Sequence, residues 1–180
     1  MHRPMARLAI TALLLLPASA SAADTASVIA KFKEKDPRVA KAFSTAYGYA
    51  IFPTVGKGAI GVGGAHGKGE VWEQGKQIGT TTLNQVTIGF QLGGQAYSEL
   101  IFFKDKTAID DFKRGNFEVS AQASAIALNA RASGDLPYNK GVAIATMAKG
   151  GLMYEASVGG QKFSYKPLEV AEKSEKTDKK

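Results

Sequence analysis

The stretch QVTIGFQLG, residues 85–93, decides the fold, because apolar residues alternate in it with small or polar ones. The apolar members share one face of an extended chain: Val86, Ile88, Phe90 and Leu92. A period of two predicts a β-strand with one buried face. Glycine recurs every few positions from residue 56 to residue 104, so we expect this strand inside a glycine-rich sheet.

Further strands are predicted on the C-terminal side of this stretch. Gly93-Gly94 indicates a turn or bend, and YSELIFF (97–103) is typical of an apolar strand. FEVSAQASAIALNA (117–130) is ambiguous, because its alanines favour a helix while its period of two favours a tightly packed strand, and we prefer the strand. The remaining predicted features are a loop at 134–137, strands near 142–147 and 152–158, a turn at Gly159-Gly160 and a strand near 163–165.

Three helices are expected around the sheet. Apolar residues recur at helical spacing between residues 24 and 35: Val28, Ile29 and Phe32. Asp36-Pro37 is typical of an N-cap followed by proline, which predicts a second helix. Asp105 can cap a third helix that ends at Gly115. The sequence therefore predicts an α+β fold, with a glycine-rich antiparallel sheet or partly closed barrel, N-terminal helices and one inserted helix.

Residues 1–22 have the layout of a secretory signal peptide. The apolar run LAITALLLL (8–16) is shorter than the roughly 20 residues that a membrane-spanning helix needs. Small residues follow it, with candidate cleavage sites after Ala20 and after Ala22. Because the chain contains no cysteine, we expect no disulfide and no lipoprotein anchor. We expect a periplasmic or secreted protein with one domain at 23–168 and a charged, disordered tail at 169–180.

The charge balance favours an anionic partner. The chain has 23 Lys and Arg against 16 Asp and Glu, a net charge of +7. Nucleic acid is not expected, because aromatic residues do not alternate with a basic stripe and export removes the target. GKGAIG (56–61) matches a dinucleotide-binding glycine pattern, but the VGGA that follows is unsuited to the helix such a site requires.

Candidates for catalysis or metal binding are few. His2 lies in the leader and His66 is the other histidine, so we expect no metal site and no cofactor. The chain has no G-x-S-x-G motif, and His66 lies in a predicted glycine-rich turn, which favours a solvent-facing residue over a catalytic base. A hydrolase centred on His66 is the minor alternative to a protein that is not an enzyme.

Eight basic residues are the candidate ligands for anionic groups. Five gather in the N-terminal helical segment and three flank glycines at predicted turns: Lys31, Lys33, Lys35, Arg38, Lys41, Lys57, Lys68 and Lys76. Lysine beside exposed glycine amides can bind phosphate through charge and backbone donors. The alternative interpretation is ordinary solubility and protection of strand edges. Trp72 is expected either in the core or as an anchor at a membrane interface.

YGYAIFP (47–53), followed by VGKGAIGVGGAHGKGEVW (55–72), resembles the SYLF lipid-binding domain family, whose members carry an apolar-Phe-Pro step into a glycine-rich hairpin. ELIFFKDKTAIDDFKRGNFEVSAQASA (99–125) and GLMYEASVGGQ (151–161) are similar to later parts of the family. The resemblance runs from about Ser27 to Tyr165.

This resemblance implies binding of phosphate-bearing lipids, including phosphoinositides, with a contribution from a basic N-terminal helix in some members. It also implies actin binding in some eukaryotic members, which we do not expect of an exported protein. The expected function is therefore non-catalytic binding of anionic phospholipid headgroups at a membrane surface. The alternative is a protein-interaction module that holds an envelope partner.

Overall fold

Three helices and four strands follow one another along the chain. The computed structural model describes residues 20–115, 118–119 and 128–168. Its elements are α1 (Ala20–Lys35), α2 (Pro37–Thr45), β1 (Gly48–Glu73), β2 (Lys76–Phe103), α3 (Lys106–Lys113), β3 (Glu118–Val119) and β4 (Val142–Pro167). The α+β class is confirmed, as are the two N-terminal helices and the inserted helix.

All four strands belong to one antiparallel sheet in the order β1-β2-β4-β3. The two-residue turn Gln74-Gly75 joins β1 to β2, and its φ angles of 48° and 79° suit a type I′ hairpin turn. β4 pairs along the other side of β2. β2 is therefore the central one of three long strands.

The predicted turn at Gly159-Gly160 was wrong, and of the turn or bend predicted at Gly93-Gly94 the structure has the bend. Both glycine pairs are strand residues with register partners, so the segments on either side of them belong to single strands, β2 and β4. A glycine pair marks a turn only where no neighbouring strand satisfies its backbone hydrogen bonds. Here β2 and β4 satisfy each other, and the chain bends without reversing.

Small residues of the three long strands lie side by side where the strands bend. Gly58 pairs with Gly94, and Ala96 pairs with both Gly56 and Gly150. Small side chains at one level let a sheet bend sharply and fold over onto itself. Two halves result: the first half-sheet is 48–57, 95–103 and 142–150, and the second half-sheet is 62–73, 76–88 and 158–167.

The main apolar core lies between the two half-sheets, with α3 packed against it. Its strand residues are Ala50, Phe52, Val55, Ala65, Val71, Leu83, Ile101, Phe103, Val142, Ile144 and Phe163. Aromatic rings make contacts between the halves and α3. The Phe163 ring centroid lies 5.7 Å from that of Phe52 and 5.2 Å from that of Phe112 in α3.

α1 and α2 cover the outer face of the first half-sheet. Phe32 of α1 and Val39 of α2 are fully buried in this layer. They belong to one cluster with the sheet residues Ile51, Leu100, Phe102, Ala143, Ala145 and Met147. Because the first half-sheet is buried on both faces, its strands are near-continuous apolar runs rather than alternating ones.

Both predicted N-caps are confirmed. Asp36 Oδ1 accepts the backbone N–H of Arg38 at 2.9 Å, at the start of α2. Asp36 Oδ2 accepts the backbone N–H of Asn129 at 3.0 Å, which ties the helix to a distant loop. Asp105 Oδ1 accepts the backbone N–H of Ala108 at 3.0 Å and caps α3.

The sheet folds over onto itself but does not close. Of the two predicted forms, an antiparallel sheet or a partly closed barrel, the protein therefore has the sheet. Among the described residues no pairing joins β1 to β3, the two edge strands. The two arms of β1 nevertheless approach each other closely. A Cβ atom at Gly69 would lie 2.5 Å from the carbonyl oxygen of Ile51, so only glycine fits there.

Some predictions fall outside the described residues. These are the apolar run of the predicted signal peptide, the tail at 169–180, and residues 117 and 120–127 of the predicted strand at 117–130. Of that strand, Glu118–Val119 forms β3, and residues 128–130 lie outside any strand. α1 begins at Ala20 and continues across both predicted cleavage positions.

Candidate functional site

Polar and charged residues lie in rows across the outer face of the second half-sheet. Register pairs Lys68 of β1 with Thr82 of β2, and Thr82 with Ser164 of β4. The two flanking rows are Glu70, Thr80 and Lys166, and His66, Asn84 and Lys162. Neighbouring strands are about 4.8 Å apart, so each row spans roughly 10 Å. Pairing with β2 thus brings together residues that are about 100 positions apart in the sequence.

The central row, the row that begins with Glu70, and His66 of the third row line an open cleft of about 860 Å³. The bend of β1 contributes Pro53 and Thr54 to its lining, and the start of α1 contributes Asp24. The basic side chains of the lining are His66, Lys68 and Lys166. The volume is in the range of small-ligand sites, and ammonium groups beside hydroxyls suit a phosphate-bearing ligand.

Two hydrogen-bond donors hold the carboxylate of Glu70, which lines the cleft. Its Oε1 accepts from Thr25 Oγ1 at 2.9 Å, and its Oε2 accepts from Trp72 Nε1 at 3.1 Å. Glu70 therefore fixes α1 to the second half-sheet. The Trp72 ring stacks on Tyr49 with 6.0 Å between ring centroids, and it packs, partly buried, against the apolar cluster under α1 and α2. Of the two positions predicted for Trp72, core or membrane interface, it therefore has the core one. Burial, with the Glu70 charge, raises the pKa of Tyr49 to about 12.

His66 lies within β1, so its predicted place in a turn was wrong, although its side chain is exposed as expected. Its Nδ1 is 2.9 Å from Asn84 Oδ1, and because that amide oxygen is an acceptor, Nδ1 carries the proton. In the described part of the chain no serine or threonine hydroxyl is hydrogen-bonded to His66. The contact that would activate a nucleophile is not formed there.

The three predicted lysines of α1 are exposed: Lys31, Lys33 and Lys35. The Nζ atom of Lys33 lies 4.6 Å from the ring centroid of Phe43. No carboxylate of the described residues forms an ion pair with any of the three. Phe32 between them is buried under the helix, so α1 presents charge rather than apolar surface to the exterior.

Arg38 and Lys41 line a second groove, of about 570 Å³, beside α2. Both have acidic partners: Arg38 Nη2 lies 2.7 Å from Asp36 Oδ2, and Lys41 Nζ lies 2.7 Å from Asp135 Oδ1. Asp36 is fully buried, and its hydrogen bond from Arg38 holds the pKa of its carboxyl below the usual range. Arg38 therefore balances a buried charge, whereas the exposed Lys41 pair contributes little.

The prediction that Lys57, Lys68 and Lys76 all flank turns was wrong. Lys57 and Lys68 lie inside β1, because the glycines around them are strand residues, and Lys76 follows the hairpin turn at the start of β2. Of these three, Lys68 lines the cleft. Sequence reasoning missed Lys166 and Ser164. The alternation of KFSYK (162–166) was the signal that could have placed them on one exposed face.

The described residues contain no group of three or more His, Cys, Asp or Glu side chains arranged to hold a metal ion. Nor do they contain a helix that is both long and apolar enough to pass through a membrane.

The chain is similar to Beta cell expansion factor A of Aeromonas veronii. The two are 30% identical over 143 residues, a match that covers 78% of this chain and 53% of the relative. The chain thus spans about half the length of the curated relative it matches. No family model matches the chain.

Proposed function

We propose that this chain is a SYLF-type protein that binds anionic phospholipid headgroups at a membrane surface, in the periplasm or outside the cell, without catalysing a reaction. The observation that supports this most is the cleft. Lys68 and Lys166 reach one polar face from strands on opposite sides of β2. Lipid headgroups are the anions that an exported protein meets at high local concentration.

The row Lys68, Thr82 and Ser164 offers the donors that a phosphate needs. An ammonium and two hydroxyls can each donate to a different phosphate oxygen. Lys166 lies one row away on the far strand, so by strand spacings its Cα is roughly 12 Å from that of Lys68. Two flexible lysine side chains can close on one headgroup across that distance.

The exposed lysines of α1 add attraction to the membrane as a whole. Each lysine near an anionic surface contributes about 1 kcal/mol. The Thr25 to Glu70 hydrogen bond places the start of α1 at the cleft, so the helix and the cleft can act on the same membrane. With Phe32 buried, attachment depends on charge rather than on insertion of apolar residues.

The motifs at 47–53 and 55–72 support the family, and the similarity to Beta cell expansion factor A is compatible with it. The name of that relative refers to beta cells and not to a ligand, so the chemistry of the proposal comes from the cleft. Nucleic acid, actin and cofactors have no part in it. An envelope protein partner is the alternative that the following experiment separates.

The test is flotation of the exported, purified protein with liposomes of phosphatidylcholine alone and with increasing phosphatidic acid. We expect binding that grows with anionic content and is absent on pure phosphatidylcholine. Binding should weaken between 0.1 M and 1 M salt, since the Debye length falls from about 10 Å to about 3 Å. Failure on every vesicle, together with capture of a specific envelope protein, would favour the interaction module.

A matched pair of variants tests the cleft itself. Lys68→Gln with Lys166→Gln should weaken liposome binding about 30-fold, from loss of about 2 kcal/mol. The control, Lys104→Gln with Lys140→Asn, removes the same charge from exposed positions outside the cleft. Asparagine suits position 140, where φ is 48°. Equal losses in the two variants would mean that net charge acts and the cleft does not. Replacing Lys31, Lys33 and Lys35 together by glutamate tests α1 separately.

A further inference from the structure

Glu99 is a buried carboxyl group that the proposed headgroup site does not use. It lies in β2 on the inner face of the first half-sheet and is 1% exposed. Its Oε2 accepts a hydrogen bond from Gln161 Nε2 at 3.0 Å. Its Oε1 is buried and has no hydrogen-bond partner among the described residues.

The contact between Glu99 and Gln161 joins the two half-sheets. Within the sheet Glu99 is paired with Phe52 and Thr146, whereas Gln161 belongs to the second half-sheet and is paired with Gln85. The two residues therefore meet across the interior, not along a strand. The Phe52 to Phe163 ring contact crosses the same layer.

No described cation balances a charge on Glu99. By register and alternation its neighbours on the inner face are Phe52 of β1, Thr146 of β4 and Tyr97, two residues before it in β2. Lys149 donates to the Pro53 carbonyl, as does Ser98, whose side chain alternates with that of Glu99 and points to the other face. Burial raises the pKa of Glu99 to about 7, opposed by the Gln161 hydrogen bond, and no charged side chain of the described residues contributes.

We propose that the burial of Glu99 at its contact with Gln161 makes the packing of the two half-sheets depend on protonation: the halves stay closed when Glu99 is protonated, and they open to water more readily when it is not. A neutral carboxyl keeps the Gln161 hydrogen bond at modest cost. A carboxylate in the same place is an unpaired buried charge, which is stabilised only if water enters or the halves separate. This device is independent of headgroup binding, since no cleft residue takes part.

The direction of the pH effect follows from linkage. A carboxyl with a raised pKa in the folded state holds its proton where the unfolded chain has lost it, so stability falls as pH rises. The fall in stability begins near the ordinary glutamate pKa of 4.5 and is complete just above pH 7, because burial raises the pKa of Glu99 in the folded state to about 7. Over that window the unfolding equilibrium constant should rise by about tenfold per pH unit, about 300-fold in all.

Denaturant unfolding of the wild-type protein and of Glu99→Gln between pH 4.5 and pH 8.5 tests the proposal. Glutamine has the shape of the protonated acid and cannot lose a proton. We expect the ratio of the wild-type unfolding constant to the Glu99→Gln unfolding constant to rise about 300-fold between pH 4.5 and just above pH 7, and then to level off. A ratio that stays constant with pH overturns the proposal.

Two further measurements separate the titration from a merely structural role. The ¹³C signal of the Glu99 carboxyl in the folded wild-type protein should titrate near pH 7, and Gln161→Leu should move that midpoint upward by removing the bond that favours the charged form. At pH 8, backbone amides of residues 48–55 and 95–103 should exchange faster in wild-type protein than in Glu99→Gln. An ordinary midpoint, or equal exchange in the two proteins, overturns the proposal.

Discussion

The two half-sheets are built from the same three strands but face different surroundings. In the first half-sheet the outer residues of β2, such as Leu100 and Phe102, are covered by α1 and α2. In the second half-sheet the outer residues of the same strand, such as Thr80 and Thr82, line the cleft. One strand thus changes from a core element to a site element along its length. The helix-covered outer face and the candidate cleft thus lie at opposite ends of the sheet.

The largest expected effect is in the first half-sheet. Phe102→Ala should lower the free energy of unfolding by about 3–5 kcal/mol, because it empties a fully buried aromatic site between helix layer and sheet. Its counterpart Thr82→Ala, on the same strand and the same face, should cost less than about 0.5 kcal/mol. Urea unfolding measures both. Similar losses in the two variants would contradict the division between the halves.

A smaller effect is expected from Arg38→Gln, at about 2–3 kcal/mol, because the variant leaves the buried Asp36 carboxylate without its cation. Asp36 has a lowered pKa, so its contribution is present above the unfolded pKa of about 3.9 and is lost as pH falls through the folded pKa. The difference in unfolding free energy between the wild type and Arg38→Gln, measured by urea titration, should therefore become smaller below about pH 4. Unchanged stability with weakened liposome binding would instead place Arg38 at the lipid surface.

Gly69→Ala tests the close approach between the arms of β1, where the two halves meet. Its Cβ would lie 2.5 Å from a backbone oxygen, so we expect a loss of about 1–3 kcal/mol in thermal or urea unfolding. Gly56→Ala is the matched control, because a Cβ there meets nothing within 4 Å. A harmless Gly69→Ala would mean that the arms can move apart freely.

The smallest effect is expected from His66→Ala in the cleft. His66 is exposed and hydrogen-bonded to a neutral amide, so its loss should change stability by less than about 0.5 kcal/mol and leave liposome binding nearly intact. An esterase and phosphatase screen of both proteins accompanies the measurement. Activity that is present in the wild type and absent in the variant would revive the hydrolase alternative.

Local signals in the sequence predicted the helices well. Asp36-Pro37 and Asp105 each specify a helix start through contacts within a few residues, and those contacts are present. The extent of each strand was harder to predict from the sequence. Gly93-Gly94 has the composition of a turn, and only its pairing with β1 and β4 makes it part of a strand. Pairing between distant segments is not contained in a short window of sequence.

The candidate site shows the same limit. Lys68 was predicted from its glycine neighbours, but its companions Ser164 and Lys166 are set by the register of β4 on β2. Arg38 was predicted as a ligand for anionic groups because it belongs to the basic residues gathered in the N-terminal helical segment. Its side chain pairs with Asp36, the helix cap two residues before it, and the burial of Asp36 beside a loop more than 90 residues away is what the local sequence does not show.

The central place of β2 also sets the order in which the sheet can assemble. β1 and β2 are separated by a two-residue turn, so they can pair soon after both exist, whereas residues 104–141 lie between β2 and β4. Closing that longer loop costs more chain entropy and makes the second pairing slower. Until β4 arrives, one side of β2 offers a long row of unpaired backbone groups to any other extended chain. The interval between the two pairing steps is therefore when a newly made chain is most open to aggregation.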